Sequence, residues 1–489
     1  MMHRNKYVGI LCLIGLTWFW SGCQKDEMPI TTSSQDALNY FKQGRDLTEK
    51  LRRTESIQYY QKAIELDSNF AMAYLYLADM YMSQKERLEN LTRAWALMDK
   101  VTKGEYLLLM STREGINGDL KKQEEYLQKA INMFPKDIRL YSMLGNFYVG
   151  NRQYEKGVDF FKKSIELSPG YTMAYNQLGY CYRYLGKYAE AEEAFKKYIK
   201  LIPNDPNPYD SYAELLLRMG EYEVSIENYE KALQFDPNFF NSYIGIATNL
   251  NFKKDFDEAR KELKVMYRIS RNDGERMLYF YSMAVSYAEE GNLDLAMEEL
   301  QKRYDLAATN HDTLSMADAL HLSAYILLEQ NKNQQAREKF DLAHRLIDDT
   351  SIPIEIKQRV RENKLVDHAR LALNENNLVE AKKLADEYFQ KMSTHDNPGF
   401  IWNAKELQAT VAFADQQYGQ VIEMLKESNN DDPSALYLLG GAYEQKGDRQ
   451  KAEEYYKNIL SLNMLSNLEY AIFRHKAEKD LLRLEEPES

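Results

Sequence analysis

Residues 172–205, TMAYNQLGYCYRYLGKYAEAEEAFKKYIKLIPND, decide the fold. Tyr175, Leu178, Gly179 and Tyr182 follow one another at spacings of three and four, which puts them on one face of a helix. Ala191, Phe195 and Tyr198 repeat that spacing and predict a second amphipathic helix. Gly186 stands between the two runs as a turn, and Pro203 ends the second helix. Gly179 and Ala191 let the two helices approach, while Tyr175, Tyr182 and Phe195 fill the remaining groove with large apolar surface.

The unit recurs with a period of 34. Residues 138–171 repeat it through Tyr141, Leu144, Gly145, Tyr148, Phe161 and Pro169, and residues 206–239 through Tyr209, Tyr212, Ala213, Leu216, Gly220, Tyr229, Ala232 and Pro237. At these positions the chain resembles the tetratricopeptide repeat (TPR) family, whose pattern has an aromatic, Leu, Gly, Tyr, Ala, Phe, Ala and Pro. The resemblance implies an all-α solenoid: tandem helix-turn-helix repeats stacked into a superhelix whose concave face, lined by the first helix of each pair, is the binding surface. Most of the 37 tyrosines, Tyr141, Tyr175 and Tyr182 among them, are then packing residues.

Outward from this core the register weakens. Residues 37–70 keep Tyr40, Gly44, Tyr60 and Ala63; residues 71–103 keep Tyr74, Leu77, Ala78 and Tyr81; residues 104–137 keep Ala130 and Pro135. Beyond 240, Tyr243, Ala247 and Ala259 continue it until Ser270–Gly274 interrupts. Further helix pairs carry Tyr287, Gly291 and Ala296, then Ala324, Ala336 and Phe340, then Ala369, Ala372 and Ala381; Leu439, Gly440, Tyr443, Gly447, Ala452 and Tyr456 mark the last clear copy. Polar breaks fall at 348–351, 394–399 and 429–433. About a dozen helix pairs are expected, with a terminal helix near 467–484 capping the stack. The organisation read from the sequence is 1–22 signal peptide, 23–36 lipidated cysteine and flexible tether, 37–273 N-terminal array, 274–466 divergent C-terminal array, and 467–489 capping helix and tail.

The N-terminus supplies an address. Arg4 and Lys6 precede an apolar stretch from Val8 to Trp20 that is short for a bilayer span and fits a secretory signal. Trp20-Ser21-Gly22-Cys23 resembles a lipobox with Trp in place of the usual Leu, which implies lipidation at Cys23 and a membrane held through that lipid. Cleavage there removes two basic residues and no acid, taking the formal charge from −12 to −14. Gln24-Lys25-Asp26-Glu27 resembles the short Lys-plus-acid tether that marks surface export of lipoproteins in some Gram-negative bacteria. An outer-membrane address, with surface exposure as its extension, is the expectation.

The chemistry is that of a scaffold. A chain of 489 residues with 75 acidic and 63 basic side chains offers no basic footprint for nucleic acid. Three cysteines, Cys12, Cys23 and Cys181, make no disulfide framework, and Cys181 reads as a small buried hydrophobe. No phosphate-binding Gly-rich loop, HExxH or GxSxG occurs, and the histidines from His311 to His475 show no metal-ligand spacing. No catalytic residue, metal or cofactor is therefore expected, and the chain reads as a non-enzyme.

Candidate binding residues lie on the first helices, off the Leu-Gly-Tyr packing face: Asn146, Asn176, Tyr180, Arg183, Tyr184, Asp210, Glu214 and Arg218. Their mixture of charge, amide and ring fits an extended peptide or helix of a protein partner. The Lys/Asn pattern of TPR modules that clamp a chaperone C-terminal carboxylate is not reproduced. Glycan capture is the alternative, because SusD-like nutrient-binding lipoproteins also combine a lipid anchor with TPR helices. That family typically carries long insertions, whereas residues 138–239 run three short-looped repeats without interruption.

Overall fold

A computed structural model of the chain describes residues 27–348, 354–395, 397–426 and 432–485. The expected signal segment, Cys23 and residues 24–26 lie outside the described residues, as do 349–351, Asp396 and 429–431 of the expected polar breaks, and the last four residues of the tail. Among the described residues there are 25 α-helices, one short 3-10 turn at Met98–Lys100 and no strand. None of these helices is long and apolar enough to cross a membrane.

The helices pair in chain order. The N-terminal hairpins are α1 (Gln35–Glu49) with α2 (Arg53–Leu66), α3 (Ala71–Met80) with α4 (Gln84–Trp95), and α5 (Lys103–Asn117) with α6 (Leu120–Met133). The regular ones follow: α7 (Ile138–Gly150) with α8 (Tyr154–Leu167), α9 (Thr172–Tyr184) with α10 (Tyr188–Leu201), α11 (Pro206–Arg218) with α12 (Tyr222–Phe235), and α13 (Asn241–Phe252) with α14 (Phe256–Ile269). Longer ones come next: α15 (Asp273–Glu290) with α16 (Leu293–Thr309), α17 (Thr313–Glu329) with α18 (Asn333–Asp348), and α19 (Ile354–Asn374) with α20 (Leu378–Met392). The last are α21 (Pro398–Ala414) with α22 (Tyr418–Leu425) and α23 (Pro433–Gln445) with α24 (Arg449–Leu460). These twelve hairpins and the closing α25 (Leu468–Glu485) match the expected dozen pairs and cap.

Three local devices write the period into the backbone. The turn inside each regular hairpin ends on a left-handed residue, and Gly118, Arg152, Gly186, Gly220 and Lys254 follow at intervals of 34. Tyr141, Tyr175, Tyr209 and Tyr243 each donate from the hydroxyl to the carbonyl six residues back, on Pro135, Pro169, Pro203 and Pro237, so one tyrosine per repeat ties the incoming loop to its helix. A small residue on the first helix accepts a ring from the second: a Cβ at Gly179 would stand 2.7 Å from Phe195, one at Gly145 2.8 Å from Phe161, and one at Gly440 2.6 Å from Tyr456. Beyond Gly291 the left-handed residues inside the hairpin turns fall at Asn331, Asn376, Gln416 and Gly447, the spacing widening where the helices from α15 to α21 lengthen and narrowing across the short α22 and α23. That lengthening is why the 34-residue signature fades after 273. The body is continuous there, since Ala259, Leu263 and Met266 of α14 share one core with Tyr279 and Met283 of α15.

The stack closes on itself after one superhelical turn. Thr54 donates to Glu275 at 2.8 Å, Ser83 to Asp312 at 2.8 Å and Tyr222 to Asn463 at 2.7 Å, between residues 221 to 241 apart. That separation is about six and a half to seven of the 34-residue units read in the sequence. α25 turns inward. Its Leu468, Ala471 and Ile472 join Ala284, Val285 and Ala288 of α15, while Tyr470, Ala477 and Leu481 join Leu217 of α11, Phe252 of α13 and Tyr456 of α24. The guanidinium of Arg474 lies 4.0 Å from the centroid of the Phe252 ring. The cap therefore occupies part of the first-helix face of α11, α13 and α15.

One expectation is corrected at the other end. Residues 28–34, expected within a flexible tether, form an extended strap across the starts of successive first helices. The Met28 amide donates to Asp137 at 3.0 Å, the Thr31 amide to Glu105 at 2.8 Å, and the Ser33 amide and Thr32 hydroxyl to Asp67, each at 2.7 Å. Asp137 caps α7, and Glu105 completes the capping box of α5, so the carboxylates that satisfy helix N-termini also receive the strap. Although burial works the other way, hydrogen bonds from Thr32, Ser33 and Asn69 hold the Asp67 carboxyl below its usual range.

Candidate functional site

The residues expected to line a groove are mostly joined to one another. Arg183 on α9 donates to Glu214 on α11 at 2.5 Å, and Tyr180 donates to the other oxygen of the same carboxylate at 2.9 Å. The guanidinium lies 4.9 Å from the Tyr180 ring centroid and 4.7 Å from that of Tyr184, and Tyr184 stacks at 4.7 Å on Tyr154 of the preceding repeat. Asp210 accepts from Ser242 of the following repeat at 2.6 Å. Arg218 donates to the carbonyl of Leu462, and Asn176 is buried, its Oδ1 without a hydrogen-bond partner.

Asn176 and Arg183 are therefore corrected from groove-facing to interior residues, and Tyr180, Asp210, Glu214 and Arg218 are engaged between repeats. The physical reason is the stacking itself. A side chain that misses the packing stripe of its own hairpin meets the first helix of the next one, 31 to 34 residues on. Burial raises the Tyr180 hydroxyl well above its usual range, with Glu214 adding to the rise. Burial also pushes the Asp210 carboxyl up to about 7, Glu214 adding to this and the Ser242 hydrogen bond opposing it.

Asn146 and Tyr184 are the exposed ones of the eight, and Asn146 alone lines an open space. A cleft of about 550 Å³ lies among the first helices α1, α3, α5 and α7 and reaches the starts of α6 and α9. Its wall combines Leu108, Met143 and Phe147 with Asp79, Asn146 and Gln123. Arg139 crosses it to Glu49 at 2.8 Å and comes within 4.0 Å of Glu27, so the strap begins at its rim. Partial desolvation by the wall raises the Asp79 carboxyl above its usual range, against the pull of Arg87 and Arg53. Asp79, Gln123 and Asn146 stand on three different helices, and no sequence spacing announces that they share a space.

A second convergence is one that no spacing along the sequence announces. His321 on α17, His344 on α18 and Asp367 on α19 meet between two repeats, with ligand atoms all within 4.8 Å of one another. His344 Nε2 is 2.9 Å and His321 Nε2 is 3.3 Å from the same Asp367 oxygen. The two imidazoles outweigh burial and hold Asp367 at about 2. Cys181 behaves as expected: it is a buried free thiol, pushed up to about 12 by burial, which disfavours the nucleophilic thiolate.

The tetratricopeptide repeat family description matches residues 173–205 in one form and residues 138–171, 207–239 and 433–463 in another. Comparison with curated proteins finds no match. Among solved structures, yeast Tom70 is similar at 17% identity, over 85% of this chain and 96% of that one, with a TM-score of 0.42. A tetratricopeptide repeat protein from Parabacteroides merdae is similar at 17% identity, over 53% and 97%, with a TM-score of 0.36. YrrB, described as a TPR protein with an unusual peptide-binding site, is similar at 21% identity, over 38% and 94%, with a TM-score of 0.25. The chain thus carries tetratricopeptide repeats, identified by sequence at four positions and continued by the same helical hairpin from end to end.

Proposed function

We propose that the chain is a non-enzymatic scaffold that holds an extended segment of a protein partner in the N-terminal cleft, anchored to a bacterial outer membrane through lipid on Cys23. The observation that carries the binding reading is the cleft of about 550 Å³ on the first-helix face, which offers Asp79, Gln123 and Asn146 beside apolar wall. An extended peptide needs that combination: amide and carboxylate groups to receive its backbone, and apolar surface for alternate side chains. The first helices in the middle of the chain offer less of this face, because α25 lies on α15 and against α11 and α13.

The anchor reading rests on the sequence, and the strap gives it a consequence. From Cys23 to Met28 the chain can reach at most about 18 Å, and Met28 is held to Asp137. A lipidated Cys23 therefore keeps the starts of α3, α5 and α7, and the cleft beside them, close to the membrane surface. Export to the cell surface through Lys25, Asp26 and Glu27 extends the same reading.

A photo-crosslinking residue placed at Asn146, and another at the exposed Lys163 of α8, tests the binding site in cells. Adducts of defined mass from position 146 and none from 163 support it. No adduct at 146, or equal labelling at both, overturns it. Cys23→Ala tests the anchor separately: loss of acyl labelling and release from the membrane fraction are expected, and retention of both defeats lipidation without touching the cleft.

A further inference from the structure

We infer that His321, His344 and Asp367 form a binding site for a divalent transition-metal ion of the zinc class, tying three consecutive helices of the ninth and tenth hairpins together. The ligand atoms come from α17, α18 and α19, one from each. A tetrahedral ion with bonds near 2.0–2.1 Å keeps its ligand atoms about 3.3–3.4 Å apart. The two nitrogen–oxygen separations, 2.9 and 3.3 Å, bracket the lower edge of that range. All three ligand atoms lie within 4.8 Å of one another, so side-chain adjustment of the imidazoles about Asp367 brings them to an ion's distances.

Two features set the cluster apart from an ordinary histidine–aspartate hydrogen bond. His344 alone already satisfies one oxygen of Asp367. His321 Nε2 points into the same place, yet it is a buried atom with no hydrogen-bond partner, because its approach at 3.3 Å is off line. Leaving a buried polar atom unsatisfied is costly, and an ion bound at its lone pair removes that cost. In the loaded form each neutral imidazole carries its proton on Nδ1 and presents Nε2 to the metal.

The surroundings fit the same role. Tyr325 donates to the other oxygen of Asp367 at 3.1 Å and fixes the carboxylate so that the shared oxygen faces both imidazoles. His321 packs edge-on against Phe340 at 5.6 Å, which sets its ring plane. The His321 side chain keeps 24% of its surface exposed, against 5% for His344 and 2% for Asp367, so the cluster lies close beneath the surface on the α17 side. Arg370 lies 4.9 Å from the Tyr325 ring centroid, and Glu406, Glu469 and Asp367 oppose its charge.

The test uses the full-length chain in detergent, stripped of metal and titrated with Co²⁺ and then Zn²⁺. One equivalent of Co²⁺ is expected to give the intense visible absorption of a four-coordinate ion, and Zn²⁺ to abolish it. His321→Ala should remove the band while the metal-free chain keeps its parental helicity by circular dichroism, since Asp367 retains its hydrogen bonds to His344 and Tyr325. Tyr325→Phe should retain the band and weaken binding about 10- to 100-fold, and His368→Ala should change neither. Absence of an intense band in the parental chain overturns the site. So does a band of parental strength and affinity in His321→Ala, which places the ion elsewhere.

Discussion

The Arg183 guanidinium and the Glu214 carboxylate meet at 2.5 Å between consecutive first helices, with 6% and 14% of their side-chain surfaces exposed. Two charges placed there hold each other, and each is a liability alone. Glu214→Ala leaves Arg183 buried without its partner and should cost about 3–5 kcal/mol in denaturant unfolding of the region. The pair replaced together, Arg183→Met with Glu214→Leu, should lie close to the parental stability. A single substitution within about 1 kcal/mol of the parent would show the pair to be a solvated one.

Asp210 makes stability depend on pH. Its folded carboxyl, at about 7, is raised above the ordinary 3.8, so the folded chain binds this proton more tightly than the unfolded chain does. The stabilisation is present below the unfolded value and is lost progressively as pH rises toward 7. Asp210→Asn keeps an acceptor for Ser242 and cannot ionise; it should melt with the parent at pH 4 and above it at pH 8. Parallel melting curves at both values would place the titration elsewhere.

Gly179 reports on the hairpin. A side chain there meets the Phe195 ring, which is fully buried, so Gly179→Leu forces helix α9 away from α10 and should cost about 1–3 kcal/mol or more. Because each hairpin packs on its neighbours, hydrogen exchange should accelerate in 138–171 and 206–239 as well as locally. Changes confined to 172–205 would contradict a coupled stack.

The inward-turned cap can be removed. Leu468, Ile472 and Leu481 are each under 10% exposed, and burial of side chains of this size contributes about 1.5–3 kcal/mol apiece. A chain ending at Met464 should lose amide protection in α13 and α15, more than 170 residues away, and bind a hydrophobic dye. Unaltered protection in those helices would mean that α25 does not hold the face it covers.

How much was legible depends on the distance over which each feature is decided. The hairpins were readable because Gly179 and Phe195 lie within one unit, Pro203 and Tyr209 lie six residues apart across its end, and both pairs repeat with the unit's spacing. The groove was misread because Arg183 and Asn176 sit off their own packing stripe but inside the contact with a neighbouring helix. His321, His344 and Asp367 gave no signal, since they come from three helices that have lengthened out of the 34-residue register.

By itself the sequence determined the repeated unit, the order of the hairpins and the cap at the end, because turn chemistry, helix periodicity and small-against-large packing act over tens of residues. The tertiary structure decided which surfaces stay open. It laid residues 28–34 across three helix starts, brought α25 onto the first-helix face of α15, and left one cleft around Asp79 and Asn146. Those outcomes follow from the superhelical rise and rotation, which accumulate small angles over about seven repeats and bring together side chains more than 200 residues apart.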